Sequence, residues 1–242
     1  MRDAVAIAYC GPAATPGDLL TRWNLDPLLM ATLAALAIVI ASGCVANTRA
    51  GWAALVLMAV IFISPLCALS SALFSARVLH HVLLIAAVAP LVALAFPIRG
   101  LSSAPLALLV GLHAIILWVW HLPGPYAWGL ASVPAYWLMQ ASLLGSAWLL
   151  WRAILAPTAQ SGPSLVALGA TSAQMGFLAA LIVFAPRPLY AVHFASTAAW
   201  GMSPLADQQL AGLLMWAPAS LPYLGVALWL AWSSLRLIES PA

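Results

Sequence analysis

A helix needs about 20 apolar residues, at ~1.5 Å each, to cross ~30 Å of hydrocarbon. Seven runs of the 242-residue chain approach or exceed that length: 28–46, 51–71, 77–96, 105–122, 134–155, 163–185 and 207–237. The last is long enough to be tilted or kinked. The segments between them, such as ASGCVANTRAG and FPIRGLSSAP, carry turn chemistry and not domains. The expected fold is all-α, a polytopic membrane bundle of seven transmembrane helices over 28–238. Polar tails are expected at 1–27 and 239–242. The apolar piece AVAIAYC near the start is too short for a signal-peptide core, so the first tail is expected to be retained.

Charge agrees with this reading. Only 5% of the side chains are charged, against about a quarter in soluble domains. All eight cations are arginines scattered singly between apolar runs, which excludes a nucleic-acid surface and points to the bilayer as partner. The arginines divide evenly between the two ends of the bundle. If Arg77 and Arg187 are kept for function, the N-terminus lies outside and the C-terminus inside. Three cysteines, at 10, 44 and 67, have no metal-type spacing and are assigned no chemistry. Pro65, Pro90, Pro218 and Pro222 predict kinks in the second, third and seventh helices. Spacings of four small residues, at Ser172, Gly176 and Ala180 and at Ser142 and Ser146, predict helix contacts.

Alternating crossings place the start of the third run, the ends of the fourth and sixth, and the start of the seventh on one side. That side collects Arg77, His80 and His81, then His121 and Tyr126 in WHLPGPY, then Arg187, Tyr190 and His193 in PRPLYAVH, and finally Asp207, Gln208 and Gln209. Ionisable residues at membrane depth are costly and default to functional candidates. His80 and His81 are about 100° apart on a helix, so one is expected to face inward. His81, one turn after Arg77, is the favoured one. His121 is placed to join it. His113 is two turns deeper on the same helix as His121 and is expected to make an interhelical hydrogen bond. His193, in a loop, is expected to be solvated. Asp207 reads on its own as the N-cap of the last helix, but a cap leaves the amide pair after it unexplained. Met215 can supply a thioether, though core filling is its default. Trp118, Trp120, Trp128 and Trp137 read as interfacial anchors.

Three segments, SPLCALSSALFSARVLHHVLLIAAVAPLVALAFP, HAIILWVWHLPGPYAWGL and APRPLY with WGMSPLADQQLAGLLMWAPASLPYL, resemble in order those of the CtaG family of caa3-type cytochrome c oxidase assembly factors. The match covers about 64–224, and DQQLAGLLMW is its most specific part. The resemblance implies a seven-helix membrane protein that helps mature a haem-copper oxidase, with an oxidase subunit as partner and copper handled at the outer face. It marks His81 and His121 as motif histidines and Tyr126, Tyr190 and Asp207 to Gln209 as the rest of the polar signature; His80 and His113 stand beside them as further metal candidates of this chain. Family members commonly carry histidine where Arg77 and Gln140 stand here, and glutamine at His80.

No serine triad, paired carboxylates, phosphate-binding glycine pattern, HExxH or CxxC is present, so the chain is expected not to be an enzyme. Two other readings compete. A small metal or solute transporter predicts a continuous polar path, and a haem-binding electron carrier predicts axial ligands among His81, His113 and His121.

Overall fold

The computed structural model describes residues 9–97 and 104–239. Arg2, Arg99, most of AVAIAYC, the centre of the FPIRGLSSAP turn and the last three residues lie outside that range. Among the described residues the chain is helical, with no strand.

Helix α1 spans Pro27–Ala41, entered through Asp26, whose carboxylate accepts from the Leu29 N–H. Helix α2, Thr48–Phe62, is capped in the same way by Asn47. Helix α3, Pro65–Ala72, follows at 48° to α2, where Ser64 caps and Pro65 occupies the first turn. Helix α4, Phe74–Val82, passes through one π-helical turn at 83–88 into α5, Ala89–Ala95, forming one 22-residue apolar helix. Helices α6, Leu106–His121, and α7, Pro123–Ala131, meet at 76° across the Leu122–Pro123 step. Then come α8, Val133–Ile154, and α9, Ser161–Val183. After a loop with two short 3₁₀ turns the chain closes with α10, Pro204–Glu239.

Three of these helices, Phe74–Ala95, Ser161–Val183 and Pro204–Arg236, are long and apolar enough to cross a membrane. The number reaches five if each bent pair is one span. The 22-residue α8 is not among them, because Gln140, Arg152 and its tryptophans and tyrosine lower its apolarity. The 15-residue α1 is apolar but short.

The kinks expected at prolines take three forms. Pro65 opens a new helix, Pro90 follows the π turn, and Pro218 and Pro222 are accommodated inside α10. At the π turn the Ala89 N–H bonds to the Leu84 carbonyl, one residue further back than in an α-helix. Continuing that ladder, the Ile85 carbonyl would pair with residue 90, a proline with no N–H. The indole of Trp151 donates to it instead at 2.9 Å, so the break on α4–α5 is sealed from α8.

Helices α9 and α10 pack closest through Gly212, where an added Cβ would stand 2.4 Å from Val183 Cγ2 and 2.9 Å from the Ala179 carbonyl. The face of α9 turned fully inward is Thr171, Met175, Leu178, Ala179 and Ile182, while Gly176 lies against Trp216 of α10. Ser142 and Ser146 meet α6 as expected, through Trp120 and His113.

The N-terminal segment is sewn to the bundle. Cys10 and Cys67 form a disulfide, which corrects the expectation that the cysteines carry no chemistry. Residues 57 apart in sequence meet because the segment runs back over the end of the bundle where α3 lies. There Asn24 bonds the Phe62 and Ile63 carbonyls, Trp200 donates to the Ala14 carbonyl, and Tyr9 stacks on Tyr136 with centroids 4.7 Å apart. Cys44 is free and exposed.

Candidate functional site

The end of the bundle under this segment is built around the first turns of α4. Leu73, the residue ahead of α4, has no side chain able to cap it. The cap comes from α10: Asp207 accepts from the Phe74 N–H at 2.7 Å and from both the Ser75 N–H, at 3.1 Å, and the Ser75 hydroxyl. Asp207 is therefore not the cap of its own helix. Ser203 does that work, accepting from the Ala206 N–H. The carboxylate is 1% exposed, and the helix dipole of α4 adds to its three donors. Gln208 acts one residue on, accepting from the Leu189 N–H at 2.6 Å and donating to the Ile182 carbonyl at 3.0 Å. It ties the loop after α9 to the start of α10. Gln209 faces outward and is exposed, away from these groups.

Above Asp207 lies an aromatic cluster. Phe74 stacks on Tyr190 at 3.6 Å and meets Tyr126 edge-on at 5.3 Å, and the Tyr190 hydroxyl donates to the His121 carbonyl. His193 belongs to this cluster, contrary to the expectation of a solvated loop histidine. It is 2% exposed, with Nε2 2.7 Å from the Tyr126 hydroxyl. The short 3₁₀ turn 191–193 folds the loop into the bundle and carries the ring with it. Burial, and then the nearby Arg77 charge, pull its pKa down to about 4. Burial also raises the Tyr190 phenol above its ordinary range.

Deeper along α4 the polar groups lose their partners. Arg77 is fully buried, its guanidinium lying over the ring of Tyr136 at 5.2 Å from the centroid. None of its three nitrogens makes a hydrogen bond of ordinary length and angle. Both neighbouring histidines are buried, whereas the sequence reading expected only one to face inward. The reason is the position of α4, which has neighbours on opposite faces. His80 packs edge-on against Phe62 of α2, and His81 faces α8 and α6. His81 Nε2 lies 3.4 Å from the Gln140 amide nitrogen, and its Nδ1 is without a hydrogen bond.

His81 and His121 come together, with ring centroids 6.0 Å apart at 78°. His121 Nδ1 is 2.7 Å from the Leu117 carbonyl, which can only accept, so Nδ1 carries the proton and Nε2 keeps its lone pair. His113 is not part of the group: it bonds Ser146 on α8 at 3.0 Å, the interhelical role expected of it. Met215 is buried two turns along α10, roughly 12 Å from Asp207 along the axis. Trp120 is also buried, bonded to Ser142 and stacked on Trp128, so it packs the α6–α7 corner more than it anchors an interface. Among the described residues no group of three or more His, Cys, Asp or Glu side chains is disposed to hold a metal ion. What the site presents is a pair of imidazoles, a guanidinium set among the Tyr126 and Tyr136 side chains with no carboxylate paired to it, and a ring of tyrosines.

Sequence reasoning missed Tyr136 and the disulfide, and it placed His193 at this end but not inside it. Tyr136 had no signal beyond its place at the start of the fifth run. Cys10 and Cys67 had one, since alternating crossings put the N-terminal segment and the end of the second run on the same side.

No curated protein and no solved structure matches the chain. A family model described as cytochrome c oxidase caa3 assembly factor (Caa3_CtaG) matches residues 44–237, which takes in every helix from α2 to α10 and every polar side chain of the site. The chain therefore belongs to the Caa3_CtaG family of cytochrome c oxidase caa3 assembly factors.

Proposed function

We propose that the protein is a non-catalytic assembly factor of the bacterial cytoplasmic membrane, which holds copper at its outer end for transfer to a subunit of a haem-copper cytochrome c oxidase. Seven crossings accommodate the helices. They are α1, α2 with α3, α4 with α5, α6, α8, α9 and α10, with α7 lying across the outer end. The Cys10–Cys67 disulfide supports the orientation, since disulfides persist in oxidising compartments and this one sits at the same end as the histidines. The N-terminus is then outside and the C-terminus inside.

The observation that carries the copper reading is the His81–His121 pair, two buried imidazoles that meet edge-on with ring centroids 6.0 Å apart. Nitrogen donors in a dry, low-coordinate setting suit a cuprous ion. Arg77 beside them opposes a cation and keeps binding weak, which favours hand-over above storage. Tyr126, Tyr190, Asp207 and Gln208 hold the walls of the site in register. The buried charged groups and most of the histidines cluster at one end, and buried polar residues beyond it, such as His113 and Ser146, form isolated pairs bonded between helices, which argues against a continuous transport path.

The test is to purify the protein in detergent, titrate cuprous ion against a chromophoric chelator, and repeat with His81→Ala and His121→Ala. One equivalent bound by the native chain and lost in both variants is the expected result. Copper at background in the native chain would remove copper handling, and unchanged oxidase activity in a deletion strain would remove the assembly role in that organism. A Soret band in the purified protein would favour the haem carrier instead.

A further inference from the structure

A cavity of about 410 Å³ lies between α1 and the body of the bundle, with Gln140 standing between it and His81. Its volume is that of a small-molecule site. Leu29, Leu33, Met58, Phe62 and Trp137 supply an apolar lining, and Leu28, 76% exposed, places its mouth on the outer surface of the bundle. Gln140 is in the wall. It is 2% exposed, its amide nitrogen is turned to His81, and its carbonyl oxygen has no hydrogen-bond partner. A buried acceptor left unpaired costs about 1–3 kcal/mol.

From this we infer that the cavity binds a neutral membrane-dissolved amphiphile with a hydroxylated ring as its head, the chemistry of a quinol, whose O–H donates to the Gln140 carbonyl oxygen. Three features select that class. An acyl chain brings no donor to Gln140. An anionic phospholipid head is disfavoured by the Asp26 carboxylate, which also lines the cavity. Phe62 and Trp137, stacked on each other 5.4 Å apart at 29°, form one aromatic wall of the cavity against which a flat ring packs. The π turn borders the site through Leu84, and such turns recur at functional positions. Binding at this site does not depend on copper.

The experiment uses the full chain in detergent micelles, with decylubiquinol and its dimethyl ether as probes, titrated calorimetrically under anaerobic conditions. Gln140→Leu removes the acceptor at nearly constant volume, and Leu33→Trp fills the cavity from α1. The native chain is expected to bind the quinol, Gln140→Leu to bind it about tenfold more weakly, and Leu33→Trp not to bind it, with melting temperatures within a few degrees of the native chain. The dimethyl ether should bind both the native chain and Gln140→Leu with the same weaker affinity. Equal quinol affinity in the native chain and Gln140→Leu would overturn the inference, as would absence of binding to the native chain or displacement of the quinol by phospholipid.

Discussion

Two of the long apolar helices of the bundle treat their polar residues in opposite ways. In the α4–α5 helix 61% of the most apolar window is buried, against 17% in α10. The central helix is surrounded by other helices, yet it is there that Arg77 and His80 make no hydrogen bond of ordinary geometry. The peripheral helix buries the charged and amide residues Asp207 and Gln208 at its start, and each meets named backbone donors or acceptors, while further along the Tyr223 hydroxyl is buried without one. The contrast separates two kinds of membrane polarity. Asp207 and Gln208 are structural, since their partners are backbone groups that need them. Arg77, His80 and His81 are held at a cost that the rest of the fold sustains, which is the pattern expected where function retains a residue.

The largest effect expected from this contrast is on the structural side. Asp207→Ala leaves the first donors of α4 and the Ser75 hydroxyl without an acceptor in a buried place. Three bonds to a carboxylate are lost together, and the destabilisation should be on the order of 3–5 kcal/mol. The variant is expected to lose its cooperative melt in detergent or to melt at least 10 °C lower. Asp207→Asn, which keeps an acceptor oxygen, should recover part of the loss. A native melting temperature in Asp207→Ala would show that the cap is dispensable and erase the distinction between the two helices.

Arg77→Met is predicted to act in the other direction. The guanidinium gains about 0.5–2 kcal/mol from the Tyr136 face, while burial of an ion without a counter-charge costs several. Replacement by an apolar side chain of similar length should raise the melting temperature by a few degrees, a gain of roughly 2 kcal/mol. If oxidase assembly falls while stability rises, Arg77 is kept for function. A melting temperature lowered by 5 °C or more would instead show that Arg77 has a stabilising partner, and the central helix would then resemble α10.

How much of this was legible in the sequence follows from the range of the physics involved. Apolar length and alternation of crossings are counting rules, and of the residues they grouped at one end Arg77, His81, His121, Tyr126, Tyr190 and Asp207 lie near one another in the fold. Breaks with a local signature were also readable: Ser64 before Pro65 is a cap followed by a first-turn proline, and HLPGP marks the corner between α6 and α7. Tertiary choices were not readable. Helical periodicity says that His80 and His81 point to different faces, but not that both faces are covered. Nothing local to PRPLYAVH shows that Tyr126, 67 residues away, takes up His193. Asp207 displays the limit most sharply, because its position in front of an apolar run suggests capping in general and the helix it caps is another one.

His193 provides the finest test of whether the loop side of the site is as well satisfied as α10. It faces Tyr126, Tyr190 and Phe74, with the Arg77 charge near by and no carboxylate bonded to it. Its pKa is held down to about 4 in the folded protein, against 6.5 for an ordinary histidine. The unfolded chain therefore binds the proton more readily, and its gain on protonation subtracts from folding stability. The contribution of His193 is fully present above pH 6.5 and falls as pH drops toward 4, by about 1 kcal/mol between pH 7.5 and 5.5. His193→Gln retains an acceptor for the Tyr126 hydroxyl but does not titrate. Its melting temperature should fall less than that of the native chain over this interval, while the remaining histidines act equally in both proteins. Parallel pH profiles would mean that His193 takes up its proton in the folded state, and that the aromatic cluster opens to water more readily than its packing implies.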